Sequence, residues 1–360
     1  MSEFHVTVVK LGPFVPHPNA DTLDITKVFD YQVIVQQGNY NEGDLVAYIP
    51  IDSVVPDTKE WHWLAPSNPD GSERFPVGQV PEKYRVIGAK KIRGIFSQGM
   101  LAPLPQPLVG VCAVCNGIHM MVPGFWVCEG CNGGGLKEGD DIATVMNITK
   151  YEPPQLVMGG ECEAAPSGWT FPIYTDIEGL RRYPDILQED EEVVITEKIH
   201  GANARYVHDG ERLWAGSHTQ IKKNDKTNLW WKASKGFQFE NAPFHVFFGE
   251  VYGQVQDLKY DIKEGVQFRA FDVYDVKQQK YLDHDDAIAI AAKCNVPWVP
   301  TLYRGPWSNE LNELCEGNST FAKNVREGFV VKPVKERWNQ HISRVILKRH
   351  GEGYLLRKKK

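Results

Sequence analysis

The sequence predicts an α+β chain in two parts: an N-terminal β-barrel interrupted by a cysteine-rich insertion, then a mixed α/β domain built on antiparallel sheets. Three observations carry this reading. Short alternating strands crowd residues 1–105, four of the seven cysteines fall between 106 and 135, and strands mix with helical segments from Trp169 onward. A chain of 360 residues is also long enough for two or three domains, at roughly 150 residues each.

The elements follow in order. Phe4 to Val9 alternates, and Leu23–Val28, Tyr31–Val35 and Asp44–Ile49 read as further strands, with Gly38 and Gly43 marking turns. Strands this short and this closely spaced suggest a small barrel or sandwich. The pattern resumes at Asp141–Val145, which makes 106–135 an insertion within a domain spanning 1–152. Pro153 to Gly168 is a linker by composition, and 169–360 forms the second domain. There, Ile177–Arg182 and Asp285–Lys293 read as helices, whereas Val193–Thr196, His245–Phe248, Val266–Phe271 and Gly328–Val331 read as strands.

Composition excludes several classes. A hydrophobic fraction of 42% and a charged fraction of 24% are those of an ordinary folded chain. No apolar run approaches the roughly 20 residues of a membrane helix. No basic segment followed by an apolar one opens the chain, so a secretory signal is not expected. An odd cysteine count argues against a disulfide scaffold and for a reducing, cytoplasmic setting. The net charge is −6, yet from Lys332 to Lys360 ten Lys or Arg face only Glu336 and Glu352, a local +8 that leaves −14 on the residues before it. Such asymmetry hints at a nucleic-acid partner.

Cys112, Cys115, Cys128 and Cys131 form C-x2-C-x12-C-x2-C. Two such turns can place four thiolates tetrahedrally, so a structural Zn2+ is expected there. Cys162, Cys294 and Cys315 are scattered.

The second domain carries an ordered series of short blocks. Thr196-Glu197-Lys198-Ile199-His200-Gly201-Ala202-Asn203 ends a strand in a lysine. Phe248-Gly249-Glu250-Val251-Tyr252-Gly253 presents a carboxylate between glycines. Phe268 to Val273 is an aromatic strand, Glu327-Gly328-Phe329-Val330-Val331-Lys332 ends in a cation, and Val345-Ile346-Leu347-Lys348 adds a lysine. This series resembles the covalent nucleotidyltransferase superfamily, and within it the RNA ligases, over residues 170–356. Ile177 to Tyr183 and Gly353-Tyr354-Leu355 are similar to the same branch. The resemblance implies an ATP-grasp-like ligase domain in which a lysine attacks the α-phosphate of ATP, forms lysyl-AMP, passes AMP to an RNA 5′ end and seals it to a 3′-OH. Lys198 would be the nucleophile and Glu250 the ribose contact. Phe271 would stack on adenine, Glu197 would meet the adenine edge, and Glu327 would serve a Mg2+ or Mn2+ ion. Gly201 and Asn203 complete the nucleotide pocket.

A free lysine titrates near 10.4, so a nucleophilic one needs its charge disfavoured, and Lys332 and Lys348 are the candidate neighbouring cations. Two positions depart from the family. Ser217-His218 stands where many RNA ligases carry an arginine, and Ile346 occupies the first position of a Lys-x-Lys pair.

His17-Pro18-Asn19-Ala20-Asp21-Thr22-Leu23 resembles the start of tRNA-binding OB-folds. Lys91-Ile92-Arg93-Gly94-Ile95-Phe96-Ser97-Gln98-Gly99 is similar to the end of the N-terminal OB domain of Deinococcus-type RNA ligases. That branch implies an RNA-containing nicked duplex as substrate. Capping enzymes and DNA ligases generally place a barrel after the last lysine block, whereas twelve residues follow Lys348 here. A nucleic-acid-binding protein with a decayed ligase domain is the remaining alternative, and the retained lysines and glutamates weigh against it.

Overall fold

The computed structural model describes residues 4–105, 108–111, 118–122, 125–127, 136–152, 162–164, 171–225 and 227–357. Two compact units result, 3–154 and 155–360. All four cysteines of the expected zinc site lie outside the described residues, as does most of the expected linker. No helix among the described residues is long and apolar enough to cross a membrane.

The N-terminal unit is a set of small antiparallel sheets. Leu45–Ile49 is flanked by Thr7–Lys10 and Met100–Ala102, Leu23–Val28 by Val15–Pro16 and Tyr31–Gln36, and Lys90–Ile92 pairs with Ile95–Ser97. Val6, Val8, Ala47, Ile49 and Ile142 are fully buried in one core cluster. The two segments that the OB resemblance rests on meet in space. His17 Nε2 lies 3.2 Å from the Ile92 carbonyl, and the Asn19 side chain donates to the Arg93 carbonyl at 3.0 Å. Arg93 and Gly94 both take positive φ, the backbone that tight hairpins demand. The strand expected at Asp141–Val145 is instead a turn, with a single bridge from Asp141 to Thr7. Ile142 supplies the burial that made the segment look like a strand.

The C-terminal unit contains two antiparallel-rich sheets, whose strands are labelled here in chain order: β1 (Glu178–Gly179), β2 (Glu192–Lys198), β3 (Ala202–His208), β4 (Leu213–Gly216), β5 (Ile221–Lys222), β6 (His245–Gly253), β7 (Val266–Asp275), β8 (Lys280–Tyr281), β9 (Thr301–Pro306), β10 (Gly328–Pro333) and β11 (Leu347–His350). One sheet has the order β1-β11-β10-β2-β9 and the other β5-β4-β3-β6-β7-β8. The helix expected at Ile177–Arg182 is β1 followed by turns. Glu178 and Gly179 pair in parallel with Leu347 and Lys348, so tertiary pairing overrides the local pattern. The second expected helix is present as α1 (His284–Lys293), which buries Ala287 and Ala291 against the core beneath β7.

Alternation along β2 divides the five-stranded sheet into two faces. Val193 and Ile195 enter a core with Phe329, Val331 and Leu347, all five fully buried. Val194, Thr196 and Lys198 point to the opposite face. Register places Lys332 beside Val194, Val330 beside both Thr196 and Lys348, and Gly328 beside both Lys198 and His350. One face therefore collects Lys198, Lys332, Lys348 and His350.

The second sheet meets this face through an irregularity in β7. Phe248 pairs with Asp272 and Gly249 with Ala270, which leaves Phe271 as the extra residue of a β-bulge. A bulge re-aims side chains, and here it brings the consecutive residues Phe271 and Asp272 to the same side as Glu250. Gly249 is required beside it, because a Cβ there would collide with the Arg269 carbonyl and the Phe268 ring.

Candidate active site

Lys198 ends β2, and Ile199-His200-Gly201 turns the chain into β3. Gly201 is needed for close approach, since a Cβ would collide with the carbonyl oxygen of Val251. Its own carbonyl accepts a hydrogen bond from the Gln256 side chain. Glu327 precedes β10 and reaches the lysine, with Nζ donating to Oε1 at 2.8 Å. Gly328 follows with φ +152, where a side chain would strike the Arg349 carbonyl. Glu250 and Asn203 are register partners on β6 and β3, so they share a face.

The electrostatics differ from the sequence expectation. Burial disfavours the Lys198 ammonium, but Glu327 and Glu250 outweigh it and hold the pKa above its ordinary value. Glu327 lies well below the usual carboxylate range: burial opposes this, and Lys198 and His350 prevail. Glu250 is pushed up to about 8 by burial, against the pull of Lys198 and with the push of Glu327. Burial lowers His350, and Lys198 and Lys348 add to it against the nearby Glu327. The resting site is thus a lysinium–carboxylate pair beside a protonated glutamic acid.

Lys332 does not act as the expected neighbour of Lys198. It lies four residues along the sheet, roughly 13 Å at the strand rise, and pairs with Asp272 at 3.0 Å and Glu336 at 2.9 Å. Asp272, fully buried, also binds Arg344 at 2.6 Å and accepts from the Tyr174 hydroxyl at 2.8 Å. Sequence inspection missed Asp272 and Arg344, because their partners lie 60 and 72 positions apart. Lys348 does share the face of Lys198, level with Thr196 across Val330.

In the last block, Ile346 is 3% exposed and packs in an apolar cluster with Phe248 and Val246, against which Phe271 also packs. The positions of that block on the Lys198 face are 348 and 350, and His350 Nε2 stands 3.5 Å from Glu327 Oε1. His218 occupies the turn after β4, half-buried, and burial lowers its pKa, so no fixed charge sits there. The nearest sequence-invisible cation is Arg205, fully buried, which donates to the carbonyls of Ser217, Phe171 and Pro172.

Glu197 points away from Lys198, as alternation requires. Its Oε2 accepts from the Thr320 backbone at 2.8 Å and the Thr320 hydroxyl at 2.7 Å. Phe271 is half-buried, 4.9 Å from the Tyr174 ring. Glu327 Oε2 and Asn203 Oδ1 are buried and have no hydrogen-bond partner, a cost of about 1–3 kcal/mol each unless something fills them. Among the described residues, no group of three or more His, Cys, Asp or Glu side chains is placed to hold a metal ion.

A strand-end lysine gripped by a buried glutamate, set where two antiparallel sheets meet, is the arrangement that the resemblance to covalent nucleotidyltransferases implies. A family model described as RNA ligase matches residues 191–350, and an OB-fold domain model matches 5–104. Residues 191–350 thus carry an RNA ligase domain signature and residues 5–104 an OB-fold signature. The fold of this chain is similar to the Naegleria gruberi RNA ligase solved with pyrophosphate: TM-score 0.73, 20% identity, 98% of each chain covered. A variant of that ligase with AMP and manganese gives TM-score 0.74 at 20% identity, again over 98% of each chain. Another with ATP and manganese gives 0.72 at 20% identity, over 97% of this chain and 98% of that one. No curated protein sequence gives a significant match.

Proposed function

We propose that Lys198 is the adenylylated residue of an RNA-repair ligase that seals nicks in RNA-containing duplexes. The observation that carries this is the Lys198–Glu327 pair beside Glu250, with buried acceptors left open around it. In this reading the Lys198 amine attacks the α-phosphate of ATP and pyrophosphate leaves. The RNA 5′-phosphate then takes AMP from the lysine, and the 3′-OH displaces AMP to close the phosphodiester. Glu250 and Asn203 hold the ribose side of the nucleotide. Phe271 offers a ring to adenine from the bulge, and Lys348 offsets phosphate charge. Glu197 acts from behind the strand by fixing the Thr320 segment.

The relatives' bound manganese raises the question of a divalent cation here. Glu327 Oε2 is a buried oxygen with no hydrogen bond, and Glu250 is a second carboxylate, so the donor set is hard oxygen, as Mg2+ and Mn2+ prefer. Such ions commonly take one or two carboxylates and complete their shell with substrate phosphates and water. A cation there would supply positive charge that offsets Glu327, the group that keeps Lys198 protonated. Lys332 serves at a distance, by holding Asp272 and the end of β7. The spacing of Cys112, Cys115, Cys128 and Cys131 supports a structural zinc, which metal analysis of the purified protein tests at about one ion per chain.

The central experiment is incubation with labelled ATP and Mg2+ or Mn2+. A protein–AMP adduct should form, and a nicked duplex should be sealed faster than single-stranded RNA. An adduct without sealing of any RNA would break the substrate assignment.

A further inference from the structure

The last described residues, 351–357, fold back onto the nucleophile's turn. The Gly351 N–H donates to the Glu327 carbonyl at 3.0 Å. A Cβ at Gly351 would clash with the Cys315 carbonyl, so the chain can take this path only with glycine there. Glu316 accepts the Glu352 N–H at 2.7 Å and anchors the short helix Glu352–Leu355. From that helix the Tyr354 hydroxyl lies 3.0 Å from His200 Nδ1, and its ring stacks on His350 at 5.8 Å. Arg357 lays its guanidinium over the Tyr354 ring at 3.6 Å. It also donates to both oxygens of Asp257, at 3.0 and 3.3 Å. Asp257 in turn lies 2.7 Å from His200 Nε2.

These contacts fix one ring. A carboxylate can only accept from Nε2–H, so Nδ1 accepts from the tyrosine hydroxyl, and the His200 tautomer and orientation are both set. His200 sits two residues after Lys198, and its backbone N–H donates to the Tyr260 hydroxyl at 2.6 Å. Its side chain is 13% exposed, Asp257 17% and Arg357 11%, so little water competes for these bonds. The turn that carries Lys198 is thereby held from both its backbone and its side chain.

We propose that Tyr354, Arg357 and Asp257 are positioning residues for the adenylylation step, acting through His200 on the turn that aims Lys198. The inference rests on Lys198 being the nucleophile. Arg357 is not a surface charge here: it is a two-pronged brace on Asp257 that a lysine could not reproduce.

The test is single-turnover adduct formation in the full-length protein, read as a maximal rate and a half-saturating ATP concentration. Arg357→Ala and Asp257→Ala should each lower the maximal rate about tenfold, since small misplacements of a reacting group cost that much or more. Half-saturating ATP should stay within about twofold, because neither residue is placed to bind nucleotide. The double variant should be no slower than the worse single, as members of one unit are not additive. Sealing of a substrate that already carries a 5′-AMP should be spared. Tyr354→Phe keeps the ring and removes only the hydroxyl, so it decides the case if the alanine variants fail to fold, and it should slow the adduct step alone. Additive effects, a change confined to half-saturating ATP, or a parallel fall in every step with the melting temperature would overturn the proposal. Lys198→Ala run alongside separates the two ideas: an adduct that persists there removes the nucleophile assignment itself.

Discussion

Two clusters of opposite charge sit on the same face of the five-stranded sheet, and they have opposite character. At one end, Lys332, Asp272, Arg344 and Glu336 satisfy one another: both Asp272 oxygens are bonded, and Arg344 is fully buried with two carboxylates. At the other end, Lys198 and Glu327 pair, but Glu327 Oε2 and Asn203 Oδ1 are left open and Glu250 is driven toward its neutral form. A closed network rigidifies, whereas an open one holds unmet demand for a ligand. Residue type alone does not separate the two ends. Satisfaction does.

The comparison is broken most directly at Lys198. Lys198→Ala should reduce the AMP adduct to background while pre-adenylylated RNA is still joined. An adduct at wild-type stoichiometry would move the nucleophile elsewhere. The closed end should fail differently. Asp272→Ala leaves Lys332 and Arg344 buried with Glu336 as the one carboxylate between them, a loss of about 3–5 kcal/mol, to be read from the denaturant midpoint. A change under about 1 kcal/mol would show that the network is not closed in solution.

Glu250 sharpens the contrast through pH. Burial pushes its carboxyl up to about 8 in the fold, against an ordinary value of 4.5. The folded state therefore binds more protons than the unfolded state across that window. Stability from this group is present at low pH and is lost as pH rises toward 8. Glu250→Gln removes the loss, so its melting temperature relative to wild type should climb by about a few degrees between pH 5 and pH 8. A constant difference would contradict the buried, neutral carboxyl. The smallest effect is expected at Ile346, which belongs to the packing between the two ends. Ile346→Val should cost about 0.5–1.5 kcal/mol of stability and leave adduct formation unchanged.

Much of this site was legible because its chemistry-bearing residues lie in short, ordered blocks. Lys198, Glu250, Glu327 and Lys348 were named from these blocks through the family resemblance they carry. What escaped was whatever depends on pairing across the sheets. Lys332 looked like a partner for Lys198 because both are lysines in adjacent motifs, yet register sets them four residues apart. Ile346 read as a missing lysine, although the strand begins at Leu347 and its useful face carries 348 and 350. Asp257 and Arg357 belong to no block at all, and they meet Tyr354 only through the return of the last turn. Asp141–Val145 and Ile177–Arg182 misled in the same way, as local pattern gave way to a bridge and to a parallel pair.

The unpaired Phe271 has a further consequence, best described as a change of reading frame. Up to Ala270 the strand alternates in one frame: Phe268 and Ala270 go into the apolar core, and Arg269 goes out. After the extra residue it alternates in the other: Val273 goes into the core and Asp272 turns outward to Lys332 and Arg344. Deleting Phe271 would merge the frames. With the first half of the strand held in register, Asp272 would stay opposite Phe248 and Val273 opposite Phe247, so only the ring of Phe271 would leave the Glu250 side of the sheet. The extra residue thus adds one ring to the Glu250 side without shifting the pairing of either half of the strand.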